Sequence, residues 1–159
     1  PQQRDYRRRR LKFLRQTKPI LLADFWNDGP LVGGCIAGGR AYLHINNRGD
    51  VEPCVFAHFA VDNIKQKSLT EVLRSDLFRA IRARQPYSPN FLRPCMIIDH
   101  PWVLREVVTE SGAWPTHPGA ETIITQLASF LDRYAAAYAE IADSAWEREY
   151  RATSLAASP

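Results

Sequence analysis

Residues 35–54, CIAGGRAYLHINNRGDVEPC, decide the fold that the sequence predicts. Residues 41–46 are rich in strand-forming side chains and predict the first strand of a hairpin. Residues 47–50 supply the turn, where Gly49 can adopt the positive φ that such turns commonly need. Residues 51–56 predict the returning strand. The hairpin therefore lies between two of the three cysteines of the chain.

A tight hairpin bounded by cysteines can bring together thiols that are distant in sequence. Cys35 precedes the hairpin, Cys54 ends it, and Cys95 follows much later. An odd count of three is unlike the even, dense cysteine framework of a secreted disulfide protein. We therefore expect free thiols in a reducing cytoplasm, arranged around one metal centre.

The spacing alone leaves three interpretations of these thiols open. Iron–sulfur clusters are commonly held by four cysteines, so three would leave one position for water, substrate or a side chain. A Cys3His zinc site is the second interpretation, although zinc sites usually contain a closer cysteine pair. Three unrelated buried cysteines are the third. Four side chains are candidates for the remaining ligand: Asp99 and His100, which follow Cys95 closely, and His44 and His58 near the hairpin.

The order of these residues resembles the auxiliary-cluster region of radical S-adenosylmethionine enzymes, the SPASM domain or the shorter twitch domain. Three segments carry the resemblance, which covers about residues 19–111: NNRGDVEPC at 46–54, DNIK at 62–65 and SLTEVLRS at 68–75. Full SPASM domains have more cysteines than the three of this chain. The Cys-x3-Cys-x2-Cys motif, which in that family holds the cluster that cleaves S-adenosylmethionine, is absent.

The resemblance implies an auxiliary [4Fe–4S] cluster bound by Cys35, Cys54 and Cys95, with Asp99 or His100 as the candidate fourth ligand. It implies that the chain is the C-terminal part of a radical S-adenosylmethionine enzyme, where it shapes the substrate site or relays an electron. S-adenosylmethionine would bind only to a barrel on a missing N-terminal portion or a separate chain. The alternative function is a stand-alone module that binds zinc or a cluster structurally, without catalysis. The sequence identifies neither the substrate nor a catalytic residue.

The predicted fold class is α+β, with a short hairpin, several helices and a long C-terminal helix. Helical patterns cover residues 4–16, 68–84, 102–111 and 120–151. Ser75 can divide the pattern at 68–84 into two short helices. The apolar run at 19–23 predicts a buried strand, which the resemblance makes the last strand of a partial barrel. We expect three regions: the barrel end at 1–33, the SPASM/twitch-like domain at 34–112, and a helical extension at 113–159. Residues 153–159 are expected to be frayed.

The loop that follows the apolar run contains three polar residues. By the resemblance, Asp24, Asn27 and Asp28 would lie near the barrel mouth and face substrate. Their sequence, Asn-Asp-Gly-Pro with a preceding aspartate, is also ordinary turn chemistry. The turn is the interpretation that we favour.

Composition limits the remaining function classes. Hydrophobic residues at 45% and charged residues at 24% are typical of a globular protein. No apolar run approaches the roughly 20 residues of a membrane span, and no signal peptide is visible, so we expect a cytoplasmic protein without membrane contact. The net charge of +4 is concentrated in the arginine run of residues 4–15. The run lacks the interleaved aromatic residues of RNA-binding segments, so we favour a helix that packs on the protein over nucleic-acid binding.

Overall fold

The computed structural model describes residues 1–151 and confirms the α+β class. Its helices are α1 Gln2–Thr17, α2 Gly29–Val32, α3 Leu69–Leu73, α4 Asp76–Arg84, α5 Pro101–Ser111 and α6 Ala128–Trp146. A 3-10 helix at Ala120–Ile123 precedes α6, and a π-helical turn at Glu147–Arg151 follows it. The strands are β1 His44–Ile45, β2 Val51–Glu52, β3 Phe59–Ala60 and β4 Trp114–Pro115. The expectation of frayed residues at 153–159 lies outside the described residues.

The predicted hairpin is present. Strands β1 and β2 pair antiparallel, with His44 opposite Glu52 and Ile45 opposite Val51. Gly49 has φ +93° in the turn, as expected. Both strands are shorter than predicted because the flanking residues form turns with their own backbone instead of continuing the ladder. On one side Ala41 donates its N–H to Ile36, and on the other Ala57 donates to Cys54.

The helical predictions between the hairpin and residue 112 are confirmed. Ser68 and Glu71 form a capping box at the start of α3. Ser75 accepts the N–H of Phe78 and so ends one helix and begins α4. Gly112 ends α5 with φ +63°. Local side chain-to-backbone bonds and a left-handed glycine set these boundaries, and both can be identified from sequence.

Two predictions for the segment after residue 112 need correction. The long C-terminal helix is confirmed as α6, but the helical pattern expected over 120–151 is interrupted between Ile123 and Ala128, where the backbone bonds are those of turns. Trp114 and Pro115, expected in a loop, form β4 and pair with β3. The partner strand lies more than fifty residues earlier in the chain, so no local pattern predicts that pairing.

The buried strand expected at 19–23 is not formed. The segment has no strand assignment, and Leu21 and Ile20 are 94% and 58% exposed. A strand requires a neighbour to satisfy its backbone N–H and C=O groups, and the described residues supply none for this segment. Between this segment and the hairpin, the chain forms one regular helix, the short α2.

Helix α1 packs against α6, so the arginine run does lie on the protein, as expected. Arg4 and Arg8 are buried, and Arg8 forms ion pairs with Asp5 and Glu149. The main core lies between α4, α5 and β3, and it includes Cys54 while Cys35 and Cys95 pack against it. The three cysteines therefore lie at the edge of the best-packed part of the molecule. Among residues 1–151, no helix has both the length and the apolar character needed to cross a membrane.

Candidate metal centre

One cavity receives all three cysteines. Cys35, Cys54 and Cys95 line it together, and its volume is about 270 Å³. The hairpin brings two of the thiols to this place, and the connector after α4 brings the third. Their role as cluster ligands stays a prediction. Four aromatic side chains line the same cavity: Phe25, Trp26, Tyr42 and Phe56.

Each cysteine sulfur has a backbone N–H donor two residues further along the chain. Cys54 and Cys95 accept these hydrogen bonds at N–S distances of 3.3 Å. The amide of Ala37 acts in the same way on Cys35. Hydrogen bonds of this kind stabilise negative charge on sulfur, and they help to set the reduction potential of iron–sulfur clusters.

Burial raises the pKa of all three thiols. The pKa of Cys54 rises to about 11 and that of Cys95 to about 12, with burial as the largest cause and nearby acidic groups as a further one. Burial also raises the pKa of Cys35, against the neighbouring Arg40 cation. A thiolate in this cavity therefore needs a cationic centre beside it, and a bound metal provides one.

The loop that carries Cys35 is held by specific backbone contacts. Arg40 donates to the carbonyl oxygen of Cys35 at 2.8 Å and to that of Gly33 at 3.0 Å. Gly38 donates its N–H to the carbonyl of Pro53 at 2.9 Å, which joins this loop to the residues between β2 and Cys54. These backbone bonds hold the Cys35 loop and the segment before Cys54 in a fixed relation to each other.

Asp99 fixes the third cysteine. Its Oδ2 accepts the N–H of Cys95 at 3.0 Å, and its Oδ1 accepts from Arg4 Nη1 at 2.5 Å. His100 Nε2 lies 3.0 Å from the carbonyl oxygen of Arg93 and donates a hydrogen bond to it in the tautomer that carries the proton on Nε2. Neither Asp99 nor His100 is among the residues that line the cavity. Their role as a fourth ligand stays a prediction.

The two histidines near the hairpin share one buried carboxylate. His44 Nδ1 lies 2.7 Å from Glu52 and His58 Nδ1 lies 3.4 Å from it. Thr116 also donates to Glu52. Neither histidine lines the cysteine cavity, so this second polar cluster supports the hairpin from another side.

The loop at 24–28 forms a turn, which supports the interpretation that we favoured. Asp24 Oδ1 accepts the N–H of Trp26 at 3.0 Å, and Asp28 Oδ2 accepts the N–H of Asp24 at 2.7 Å. Arg15 pairs with Asp28 at 2.6 Å. Asp24 and Asp28 line the cavity, but their oxygens accept these local bonds, and Asn27 is not among the lining residues.

The cysteine region matches a known family. Residues 35–97 match the family model of SPASM, described as an iron–sulfur cluster-binding domain. The match is consistent with a SPASM/twitch-like region at these residues. All three cysteines lie within it. No curated protein and no solved structure matches the chain.

The donor set of the SPASM-like region fits an iron–sulfur cluster. Three thiols, one buried and two partly buried, line a largely apolar cavity, and each has a backbone amide as a hydrogen-bond donor. The fit is one of donor chemistry: among residues 1–151, no group of three or more His, Cys, Asp or Glu side chains is arranged to hold a metal ion.

Sequence reasoning missed two parts of the SPASM-like region. Burial raises the pKa of the Tyr87 phenol, and the three nearby thiols raise that pKa further. Its neighbours Pro86 and Pro89 predicted only an extended connector. The aromatic rim was also missed, because Trp26 and Phe56 come from separate segments and meet at a ring-centroid distance of 5.0 Å.

Proposed function

We propose that this chain binds an auxiliary [4Fe–4S] cluster through Cys35, Cys54 and Cys95. In this proposal it is the C-terminal SPASM/twitch-like part of a radical S-adenosylmethionine enzyme. One observation carries the proposal: three cysteines of a region that matches an iron–sulfur cluster-binding family line a single cavity. The N–H donors beside the sulfurs supply the local stabilisation that cluster thiolates require.

Three thiolates leave one position of a cubane cluster for another ligand. Asp99 already accepts bonds from Arg4 and from the amide of Cys95, and it is fully buried. We therefore place the remaining position on the cavity side, towards Phe25 and Phe56, where water or a substrate atom would reach it. A bound cluster would supply an electron-transfer centre or an iron that binds a substrate heteroatom.

The chain's own residues would shape the substrate site beside the cysteines. The aromatic rim is mostly apolar, with Phe25 edge-on to Phe56 at a centroid distance of 5.9 Å. Such walls offer an apolar surface to a substrate group beside the cysteines. Arg40 holds the Cys35 loop from the surface through the carbonyl oxygens of Gly33 and Cys35.

An exposed apolar edge beside the cavity supports a barrel as the partner. Ile20, Leu21, Phe25 and Leu31 are all largely exposed on the segment between α1 and the hairpin. Several large apolar side chains exposed on one segment favour an interaction site there. In the proposed enzyme, the barrel portion covers this edge, binds S-adenosylmethionine and generates the radical.

Anaerobic reconstitution of the full chain tests the proposal. The experiment counts iron and sulfide per chain and follows cluster absorbance at about 400 nm, in the range of cysteine-ligated clusters. We expect Cys35→Ala to lose the cluster and Met96→Leu, a volume-conserving change in the adjacent core, to keep it. Absence of a cluster in the unaltered chain, or one indifferent to Cys35→Ala, would falsify the proposal. Stoichiometric zinc without sulfide would favour the alternative, a structural zinc module.

A further inference from the structure

An arginine on the first helix reaches the cysteine loop through the interior of the protein. We propose that Arg4 is a positioning residue for Cys95, so that helix α1 forms part of the cysteine site. The inference rests on the proposed function in one respect, that Cys95 is a cluster ligand. The geometry on which it depends belongs to the chain alone.

Arg4 and Asp99 form a buried, two-pronged ion pair. Arg4 Nη1 lies 2.5 Å from Asp99 Oδ1, and Nη2 lies 3.2 Å from Oδ2. The two residues are 4% and 0% exposed. A charge at this depth requires its partner, because an unpaired buried carboxylate is strongly unfavourable. Arg4 therefore determines where the Asp99 carboxylate lies.

Asp99 in turn holds both polar groups of the Cys95 backbone. Its Oδ2 accepts the N–H of Cys95 at 3.0 Å. The carbonyl of Cys95 accepts the N–H of Asp99 at 3.0 Å and that of His100 at 3.1 Å. With its N–H and its carbonyl both bonded to this turn, Cys95 can shift only if Asp99 shifts as well.

The same guanidinium touches two further segments that surround the cavity. Arg4 Nη2 donates to the carbonyl of Trp26 at 3.0 Å and to that of Leu92 at 3.3 Å. The ring of Tyr138 lies below it, 3.9 Å from the guanidinium carbon. Trp26 lines the cavity, so Arg4 joins its aromatic wall to the loop that supplies its third thiol. The sequence placed Arg4 in the arginine run of a helix that packs on the protein, and only its partner in space reveals this role.

Arg8 offers a matched control on the same helix. It is buried to the same extent, at 4% exposure, and it also forms a two-pronged contact with a carboxylate. Its partners are Asp5 and Glu149, which lie away from the cysteine loop. Loss of Arg8 therefore weakens the packing of α1 without removing the anchor of Cys95.

The test compares Arg4→Met with Arg8→Met in the full chain before any metal is added. Under native, reducing conditions, iodoacetamide labels the thiols, and mass spectrometry gives a labelling rate for each cysteine. Cys54 serves as the internal reference, because a global loss of stability raises both rates together. We expect Arg4→Met to raise the Cys95-to-Cys54 rate ratio by about tenfold, since local opening of one loop exposes its own thiol selectively. Arg8→Met should leave the ratio within about twofold of the unaltered chain.

An unchanged ratio in Arg4→Met would overturn the inference. If that variant does not fold, as judged by circular dichroism, Arg4→Lys replaces it. Lysine keeps the positive charge but lacks the paired N–H donors of the guanidinium, so we expect the Cys95-to-Cys54 rate ratio to rise several-fold. An Arg4→Lys variant without that rise would contradict the inference. Cluster reconstitution of the same variants then measures how much iron each chain binds. A chain that binds no cluster defeats the proposed function but leaves the labelling result for Arg4 intact.

Discussion

A methyl group added at Gly38 should damage the cysteine site through a single close contact. The residue has φ +68°, in the left-handed region, and it joins the Cys35 loop to Pro53. A Cβ built there lies 2.3 Å from Ile81 Cγ2 and 3.3 Å from Ile81 Cβ. Ile81 is fully buried, so it cannot move away without displacing the core around it.

The magnitude follows from two separate effects. The left-handed conformation costs an alanine about 1–2 kcal/mol, and overpacking against a fixed core side chain costs about 1–3 kcal/mol more. Gly38→Ala should therefore lower the free energy of unfolding by about 2–5 kcal/mol. Gly112 gives a matched control, because it has φ +63° but nothing within 4 Å of the added Cβ. Gly112→Ala should cost about 1–2 kcal/mol, from the conformational effect alone.

Urea unfolding of the full chain, followed by circular dichroism, measures both variants. The difference between their unfolding free energies isolates the contact with Ile81, provided that the denaturant slopes agree. A Gly38→Ala variant no less stable than Gly112→Ala would refute the reasoning, because it would mean that Ile81 does not hold its position. The same variant should also bind less iron on reconstitution, since the loop bond to Pro53 would be displaced.

Two further predictions concern buried or paired carboxylates. Hydrogen bonds from Arg8 lower the pKa of Glu149 to about 2, below its ordinary value of 4.5, so its contribution to stability is complete above pH 4.5 and is lost as the pH falls towards 2. Glu149→Gln should therefore flatten the fall in stability over that window, and an unaltered acid profile in thermal melts would count against the pairing with Arg8. Burial opposes ionisation of Glu52, but hydrogen bonds from Thr116 and His44 outweigh it and lower its pKa. Glu52→Gln should reduce the free energy of unfolding at pH 7 by about 1–3 kcal/mol, and a loss below about 0.5 kcal/mol in urea titrations would contradict this network.

Local signals in the sequence were sufficient for the hairpin and for several helix boundaries. Gly49 in a turn, the Ser68–Glu71 capping box and Gly112 after α5 each act through bonds or dihedral angles within a few residues. The grouping of Cys35 and Cys54 followed from the hairpin that separates them. Caps and turns depend on interactions between residues that are close in sequence, so they can be identified without a structure.

The errors and omissions arose where distant segments meet. The apolar run around Leu21 predicted a buried strand. A strand needs a neighbouring strand to pair with, and the described residues supply none for this run. The arginine run gave no indication that Arg4 would bind Asp99, because the two are separated by 95 positions.

The chain by itself therefore determined which thiols to consider and that a hairpin would separate two of them. Only the tertiary structure decided that these thiols share one cavity, that aromatic rings from separate loops line it, and that Arg4 of the first helix pairs with the carboxylate bonded to the Cys95 amide. The physical reason is that burial and ion pairing depend on which surfaces meet in space. Residue type and spacing along the chain do not specify that arrangement.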